Sequence, residues 1–173
     1  FKQEDITIKG HALELRVYAE DPSNNFLPDI GTLKTYQLPK GPGIRVDDGF
    51  EQGMEIPIYY DPMIAKLITY GQNRTEAIER MIRAIDEYVI VGVETTLSFG
   101  KFVMQHEAFT SGKFDTHFVN NYFSPSKLQQ ETNDKAMIAA LTAALLFESA
   151  TTNHTVTDEK NVSTNWVKNR KQF

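Results

Sequence analysis

The 173 residues carry 18 Lys and Arg against 23 Asp and Glu, a net charge of −5 at pH 7. Without a basic stripe there is no nucleic-acid footprint, and without a cysteine there is no disulfide framework, thiol chemistry or cysteine-based zinc site. No apolar run approaches the ~20 residues a membrane helix needs. The balance of 40% hydrophobic and 24% charged residues is that of a globular chain with one sizeable core. Phe1-Lys2-Gln3-Glu4-Asp5 is neither a signal peptide nor an initiator start. The chain is therefore expected to be a piece of a longer, cytoplasmic protein.

Residues 11–21 come first in chain order. Leu13, Leu15, Val17 and Ala19 alternate with Glu14, Arg16, Tyr18 and Glu20, the period of a strand with one buried face. His11, at its start, is open to two readings: a structural histidine, or a ligand or base. Asp21-Pro22-Ser23-Asn24-Asn25 ends the strand in turn residues. Residues 26–31 form a loop with apolar anchors, and residues 32–37 a second short strand. In Lys40-Gly41-Pro42-Gly43-Ile44-Arg45-Val46-Asp47, two glycines and a proline set a tight turn that delivers Arg45 into a third strand. A guanidinium fixed there is a planar five-donor fork, suited to an anionic substrate or a developing oxyanion. The plain alternative is a hairpin loop with a solvated arginine.

Asp48-Gly49 is a turn pair. Tyr59-Tyr60-Asp61-Pro62 reads either as a substrate wall or as amphipathic rings at a sheet edge. Residues 64–70, mostly apolar, predict a central strand. Lys66 within it either reaches outward or pairs with a carboxylate. Asn73-Arg74-Thr75-Glu76 is a helix cap followed by Glu at the third position. Ile78, Met81, Ile82, Ile85 and Val89 then fall on one face, with Glu76, Glu79, Arg80, Arg83, Asp86 and Glu87 on the other. Gly71-Gln72-Asn73-Arg74 lacks phosphate-loop spacing. Residues 89–93 predict a short strand. Thr95 or Thr96 caps a helix containing Leu97, Phe99, Phe102, Val103 and Met104. Residues 109–115 predict a loop, and Thr116 the cap of a short helix through Phe118, Val119 and Tyr122.

Composition shifts at Phe123-Ser124-Pro125-Ser126, which divides the chain into domains 1–123 and 124–173. Asn133 or Asp134 is expected to cap a helix over 135–149. Its wide stripe of Ile138, Ala139, Leu141, Thr142, Leu145 and Leu146 calls for burial against the first domain or a partner. Residues 150–163 read as a polar linker. The basic end around Trp166 is a docking motif or a frayed terminus. No Ser/His/Asp set and no His-Glu-x-x-His spacing is present. The residues alone give a mixed β/α domain that presents Arg45 and carries a helical tail.

Several segments stand in register: Gly10-His11-Ala12-Leu13-Glu14-Leu15-Arg16, Ala19-Glu20-Asp21-Pro22, Phe26-Leu27-Pro28 and Gly41-Pro42-Gly43-Ile44-Arg45. Tyr59-Tyr60-Asp61-Pro62-Met63-Ile64-Ala65-Lys66-Leu67 and Gly71-Gln72-Asn73-Arg74 follow. Over residues 9–122 the chain resembles the C-terminal domain of biotin carboxylase. The resemblance implies an α+β fold, a small antiparallel sheet with packed helices, followed here by a C-terminal helical tail. It implies an ATP-grasp ligase as parent. That enzyme uses ATP with Mg and bicarbonate to carboxylate biotin held on a separate biotin carboxyl carrier protein, by way of carboxyphosphate. The final acceptor would be of the acetyl-CoA or propionyl-CoA type, as in fatty acid biosynthesis.

The same resemblance places residues. Arg45 fills the position that stabilises the enolate-like oxygen of biotin. Thr116 matches a segment near the adenine pocket. Tyr70 and Arg74 match homodimer-interface positions, with a solvated first-turn arginine as the alternative for Arg74. The family's glycine-rich lid, metal-binding carboxylates and bicarbonate-binding Glu and Arg lie upstream of this domain. No metal site, bound cofactor or activity is therefore expected of this piece alone. No Met-Lys-Met biotinylation site occurs. The implied partners are the carrier protein, a carboxyltransferase subunit and, in the parent, a second copy, with no nucleic acid or membrane. A second reading takes the fragment as a non-catalytic dimerisation or assembly module.

Overall fold

The structure, a computed structural model, describes residues 1–57 and 61–152. Its organising strand is β6, Met63–Gly71, where the mostly apolar run predicts a central strand. It pairs antiparallel with β1, His11–Tyr18, on one side and β5, Ile44–Asp48, on the other. Side chains alternate across a strand. Ala65, Leu67 and Thr69 are therefore buried, while Lys66, Ile68 and Tyr70 lie on the opposite face. Register extends both faces. Val17, Leu15 and Leu13 stand opposite Ala65, Leu67 and Thr69, and Val46 and Ile44 stand opposite Leu67 and Thr69. The result is an apolar row across three strands.

Helix α1, Arg74–Glu87, covers this row with Ala77, Ile78, Met81, Ala84 and Ile85. The Asn73 side chain caps it by accepting from the Glu76 N–H at 2.9 Å. The one buried polar side chain on β6, Thr69, donates to the Ala77 carbonyl at 3.0 Å. That satisfies the hydroxyl inside the core. Gly71 permits the close approach, since a Cβ there would lie 2.6 Å from the Ala77 nitrogen.

Two smaller antiparallel pairs flank the sheet. Strands β2, Glu20–Asp21, and β3, Leu27–Pro28, close a 3-10 turn at Pro22–Asn24. Strands β4, Thr35–Gln37, and β7, Val89–Val91, pair with each other. The expected strand over residues 32–37 is thus shorter, with Thr32 in an isolated bridge to Glu55. Val89 does not extend the face of α1. Tyr88 takes an extended backbone and ends the helix, because its ring is drawn into the core beside Tyr36. The two hydroxyls are 2.7 Å apart.

Helix α2, Leu97–Gln105, starts at Thr96, but the Thr96 hydroxyl makes no cap bond. It accepts from the Tyr18 N–H at 3.0 Å and donates to the Arg16 carbonyl at 3.2 Å. Those two backbone groups lie at the end of β1 away from β6, so one buried threonine pairs both of them. Phe109 and Thr110, the start of the loop expected over 109–115, instead belong to the single turn α3, Glu107–Thr110, which the His106 ring caps. Helix α4, Phe118–Tyr122, starts from His117, not Thr116. The reason is local: the Asp115 carboxylate accepts from the His117 N–H at 2.8 Å and sets the preceding turn. Phe26 anchors its loop as expected, with its ring 5.0 Å from Phe99 and 5.5 Å from Phe123.

Helix α5, Pro125–Thr152, begins well before the expected cap at Asn133 or Asp134. Pro125 suits a first helical position, and residues 126–132 contain little that would stop a helix. The helix also takes in residues 150–152, the start of the expected linker. The chain divides into two compact units, Phe1–Thr132 and Asn133–Phe173. In the second, Met137, Ile138, Leu141 and Leu145 are exposed. Tyr59 and Tyr60, the remainder of the linker and the Trp166 segment lie outside the described residues.

Two outcomes are expected. Thr96→Val leaves a buried N–H and carbonyl unpaired and should lower the unfolding free energy by about 2 kcal/mol in urea, with Thr96→Ser recovering most of it. Burial pushes the Tyr36 hydroxyl up to about 12, against a weaker opposing pull from its bond to Tyr88. Burial, then the bond to Tyr36, pushes Tyr88 up as well. The folded state therefore holds these protons where the unfolded chain has released them. Their stabilisation is complete below pH ~10 and lost as pH rises towards about 12. Tyrosinate absorbance of the folded chain should show Tyr36 and Tyr88 ionising later than the exposed tyrosines as pH rises.

Candidate functional site

Arg45 sits in β5 immediately after the glycine–proline turn. Gly41 and Gly43 both have positive φ, 129° and 71°. Gly43 has a second role. Its carbonyl accepts from the Tyr70 N–H at 2.9 Å, and a Cβ on it would lie 2.6 Å from the Tyr70 carbonyl. The turn is thus pressed against the end of β6, where only glycine fits.

Helix α1 holds this junction from behind. Arg80 donates to the Tyr70 carbonyl and to Glu76 Oε1, and Glu76 Oε2 accepts from the Gln72 N–H at 2.7 Å. The side chains of Glu76 and Arg80 are 36% and 23% exposed, so the pair is partly shielded from water. The turn, the end of β6 and the first turns of α1 form one connected unit.

Arg45 itself points away from the core. Its side chain is 71% exposed and donates from Nη2 to Asp47 Oδ2 at 2.9 Å. It stands opposite Ile68, which stands opposite Glu14. In the neighbouring row Arg16, Lys66 and Asp47 are aligned across the three strands. Of the two readings of Lys66, the outward one matches its place on this face. The sheet thus shows one apolar face and one charged face, and Arg45 belongs to the charged one with most of its donors open.

Tyr70 lies on the same face, 47% exposed, and its hydroxyl donates to the Lys9 carbonyl at 3.3 Å. Arg74 is not a solvated arginine. Its Nη2 donates to the Phe109 carbonyl at 2.6 Å, its Nη1 lies 3.2 Å from His11 Nε2, and its guanidinium sits 4.7 Å from the Phe109 ring centroid. Tyr70 and Arg74 therefore meet the start of β1 together. His11 falls to its structural reading, as a partner of Arg74. Thr116 stands apart, exposed in the turn between α3 and α4. Beside it, Gly112, Lys113, Phe114, Asp115, Asn121 and Tyr122 line a hollow of about 300 Å³. Among the described residues, no three His, Cys, Asp or Glu side chains are grouped to hold a metal ion.

The model of the biotin carboxylase C-terminal domain matches residues 14–121. The chain belongs to this family. Biotin carboxylase 1 of Bacillus subtilis is 52% identical over 121 residues, covering 70% of this chain and 27% of that protein. The mitochondrial propionyl-CoA carboxylase alpha chain of Homo sapiens is 51% identical over 124 residues, 70% of this chain and 17% of its own length. The biotin carboxylase domain dimer of Hydrogenobacter thermophilus 2-oxoglutarate carboxylase was solved with MgADP, ADP and bicarbonate. It superposes with a TM-score of 0.68 and 41% identity, over 70% of this chain and 27% of that one. The biotin carboxylase C-terminal domain is thus the α+β fold expected from the sequence. The chain spans about a quarter of the bacterial relative and less of the human one.

Sequence reasoning missed three partners in this biotin carboxylase domain. The Asp47 contact was legible in principle, since residues two apart on a strand share a face. The Glu76–Arg80 pair has the helical i, i+4 spacing. The packing of Arg74 against Phe109 left no local signal. The turn gives a direct test. Gly43→Ala meets both the Tyr70 carbonyl and left-handed backbone, and should cost about 2–4 kcal/mol in chemical denaturation. Gly49→Ala, with nothing within 4 Å of its Cβ, should stay within about 0.5 kcal/mol of the parent.

Proposed function

We propose that the parent of this chain is the biotin carboxylase component of a biotin-dependent acyl-CoA carboxylase, an ATP-dependent ligase, and that this domain supplies Arg45 to its active site. One observation carries the reading. Within the family-matched region, Arg45 stands on a rigid strand with most of its guanidinium open to a ligand. The fit is chemical. A ureido N–H is deprotonated only far above neutral pH, so its removal needs a cation where charge collects on the ureido oxygen. Arg45 offers a planar fork of donors for that oxygen, and its charge persists at every working pH. ATP, Mg and bicarbonate, bound by the rest of the parent, supply the activated carboxyl group. The carboxyl acceptor is biotin on a separate carrier protein.

Further parts of the reading rest on resemblance together with placement. Thr116 borders the adenine end of the site, next to the hollow at Phe114 and Tyr122. Tyr70 and Arg74, gathered at the start of β1, belong to a homodimer interface. The Hydrogenobacter relative, itself described as a dimer, supports this. Domain 1–123 is the carboxylase portion, and 124–173 an extension whose exposed Met137, Ile138, Leu141 and Leu145 favour an assembly role towards a carboxyltransferase subunit. For the isolated polypeptide, that assembly role is the second reading. No described helix is long and apolar enough to cross a membrane. We place the parent in the cytoplasm, acting on an acetyl-CoA or propionyl-CoA type of acceptor.

The test uses the full-length subunit with free biotin as acceptor. Arg45→Ala should reduce the carboxylation rate by roughly 10²–10³, the usual loss of an oxyanion donor, and Arg45→Lys should restore only part of it. Thermal stability should barely move, since the pair Arg45 forms is exposed. An unaltered rate in Arg45→Ala would remove Arg45 from the chemistry.

A further inference from the structure

We propose that Asp47 is a positioning residue for Arg45, an inference that rests on the reading of Arg45 as the oxyanion donor. The charged face of the sheet offers little else to fix a long, flexible side chain. Arg45 is 71% exposed, and across the sheet it faces the aliphatic Ile68. A guanidinium there can swing through many rotamers unless something holds it. Asp47 is two residues along the same strand, so both side chains leave the same face. Its Oδ2 accepts from Arg45 Nη2 at 2.9 Å, a charge-assisted bond of ordinary length.

The bond engages one N–H of five. Among the described residues nothing takes Nε or Nη1, which stay open for an anion. Asp47 is itself placed by its neighbours, since it stands directly opposite Lys66, which stands opposite Arg16. A carboxylate that strayed from Arg45 would find a second cation beside it, so Asp47 remains on this face whichever cation it takes.

Asp47 has an opposing effect as well. A carboxylate beside Arg45 weakens the pull of the guanidinium on an incoming anion. Orientation and neutralisation predict opposite signs for its removal, and this makes the proposal testable. If orientation dominates, losing the acceptor slows the reaction. If neutralisation dominates, losing the charge speeds it.

The experiment measures carboxylation of free biotin by the full-length subunit carrying Asp47→Ala, Asp47→Asn, Arg45→Ala and the Asp47→Ala/Arg45→Ala pair. Asp47→Ala is expected to lower kcat on the order of tenfold with the KM for biotin unchanged, since the donor is misaimed and not removed. Asp47→Asn keeps an acceptor oxygen in the same place without the charge, and is expected within about threefold of the parent. In the Arg45→Ala background, Asp47→Ala should have no further effect, because the two act as one unit. Asp47→Ser gives the same readout if the alanine variant is unstable. A parental or raised kcat in Asp47→Ala, with Arg45→Ala depressed, overturns the positioning role alone. Losses that multiply in the double variant overturn it too, by showing that Asp47 acts elsewhere. A parental rate in Arg45→Ala overturns the reading of Arg45 and the positioning role with it.

Discussion

The burial of β6 between β1 and β5, under α1, is the constraint on which the other features depend. Leu67 and Thr69 at its centre have no exposed surface. A strand paired on both sides cannot slip by one residue without moving its apolar set into water. Once β6 is fixed, its outward residues Lys66, Ile68 and Tyr70 are fixed as well. So are the residues that register opposite them, Arg45 and Asp47 on one side and Glu14 and Arg16 on the other. The charged face takes its geometry from the packing of the apolar one.

The connection to α1 turns this constraint into a rigid presentation. Thr69 bonds the Ala77 carbonyl inside the core, and Arg80 bonds the Tyr70 carbonyl at the rim. Gly43 lies against that same carbonyl. The turn before Arg45 is therefore held by the helix as well as by its own backbone preference. The backbone beneath Arg45 belongs to core strands and a helix junction, which suits the oxyanion donor proposed for it, a group that must be in place before charge develops. The exposed ion pair with Asp47 adds little to stability.

Much of this was legible in the sequence. Strict alternation gave β1, a long apolar run gave β6, and the Asn73 cap with Glu76 gave the start of α1. Two glycines around a proline gave the turn. Two of the failures share a cause, a partner far away in the chain. The Thr96 hydroxyl serves β1, some eighty positions earlier in the chain, in place of its own helix. Tyr88 ends α1 because it meets Tyr36, which no local window contains. The turn at 107–110 is too short to show a period, and the early start of α5 falls at Pro125, where the composition shift reads as a domain boundary. For the site, Arg45 stood out by its turn and by resemblance. The cage of Arg74, made by His11, Phe109 and Phe114, was not legible, because its members come from three separate segments.

The central claim is that Arg45 acts on the biotin half of the chemistry and not on the nucleotide half. The most direct measurement is the ratio of ATP hydrolysed to biotin carboxylated by the full-length subunit, with and without Arg45. If Arg45 serves only the ureido oxygen, Arg45→Ala retains bicarbonate-dependent ATP hydrolysis measured without biotin, and the ratio rises by the same factor that carboxylation falls. If both activities fall together and the ratio stays at the parental value, Arg45 acts before biotin enters, and the account is wrong.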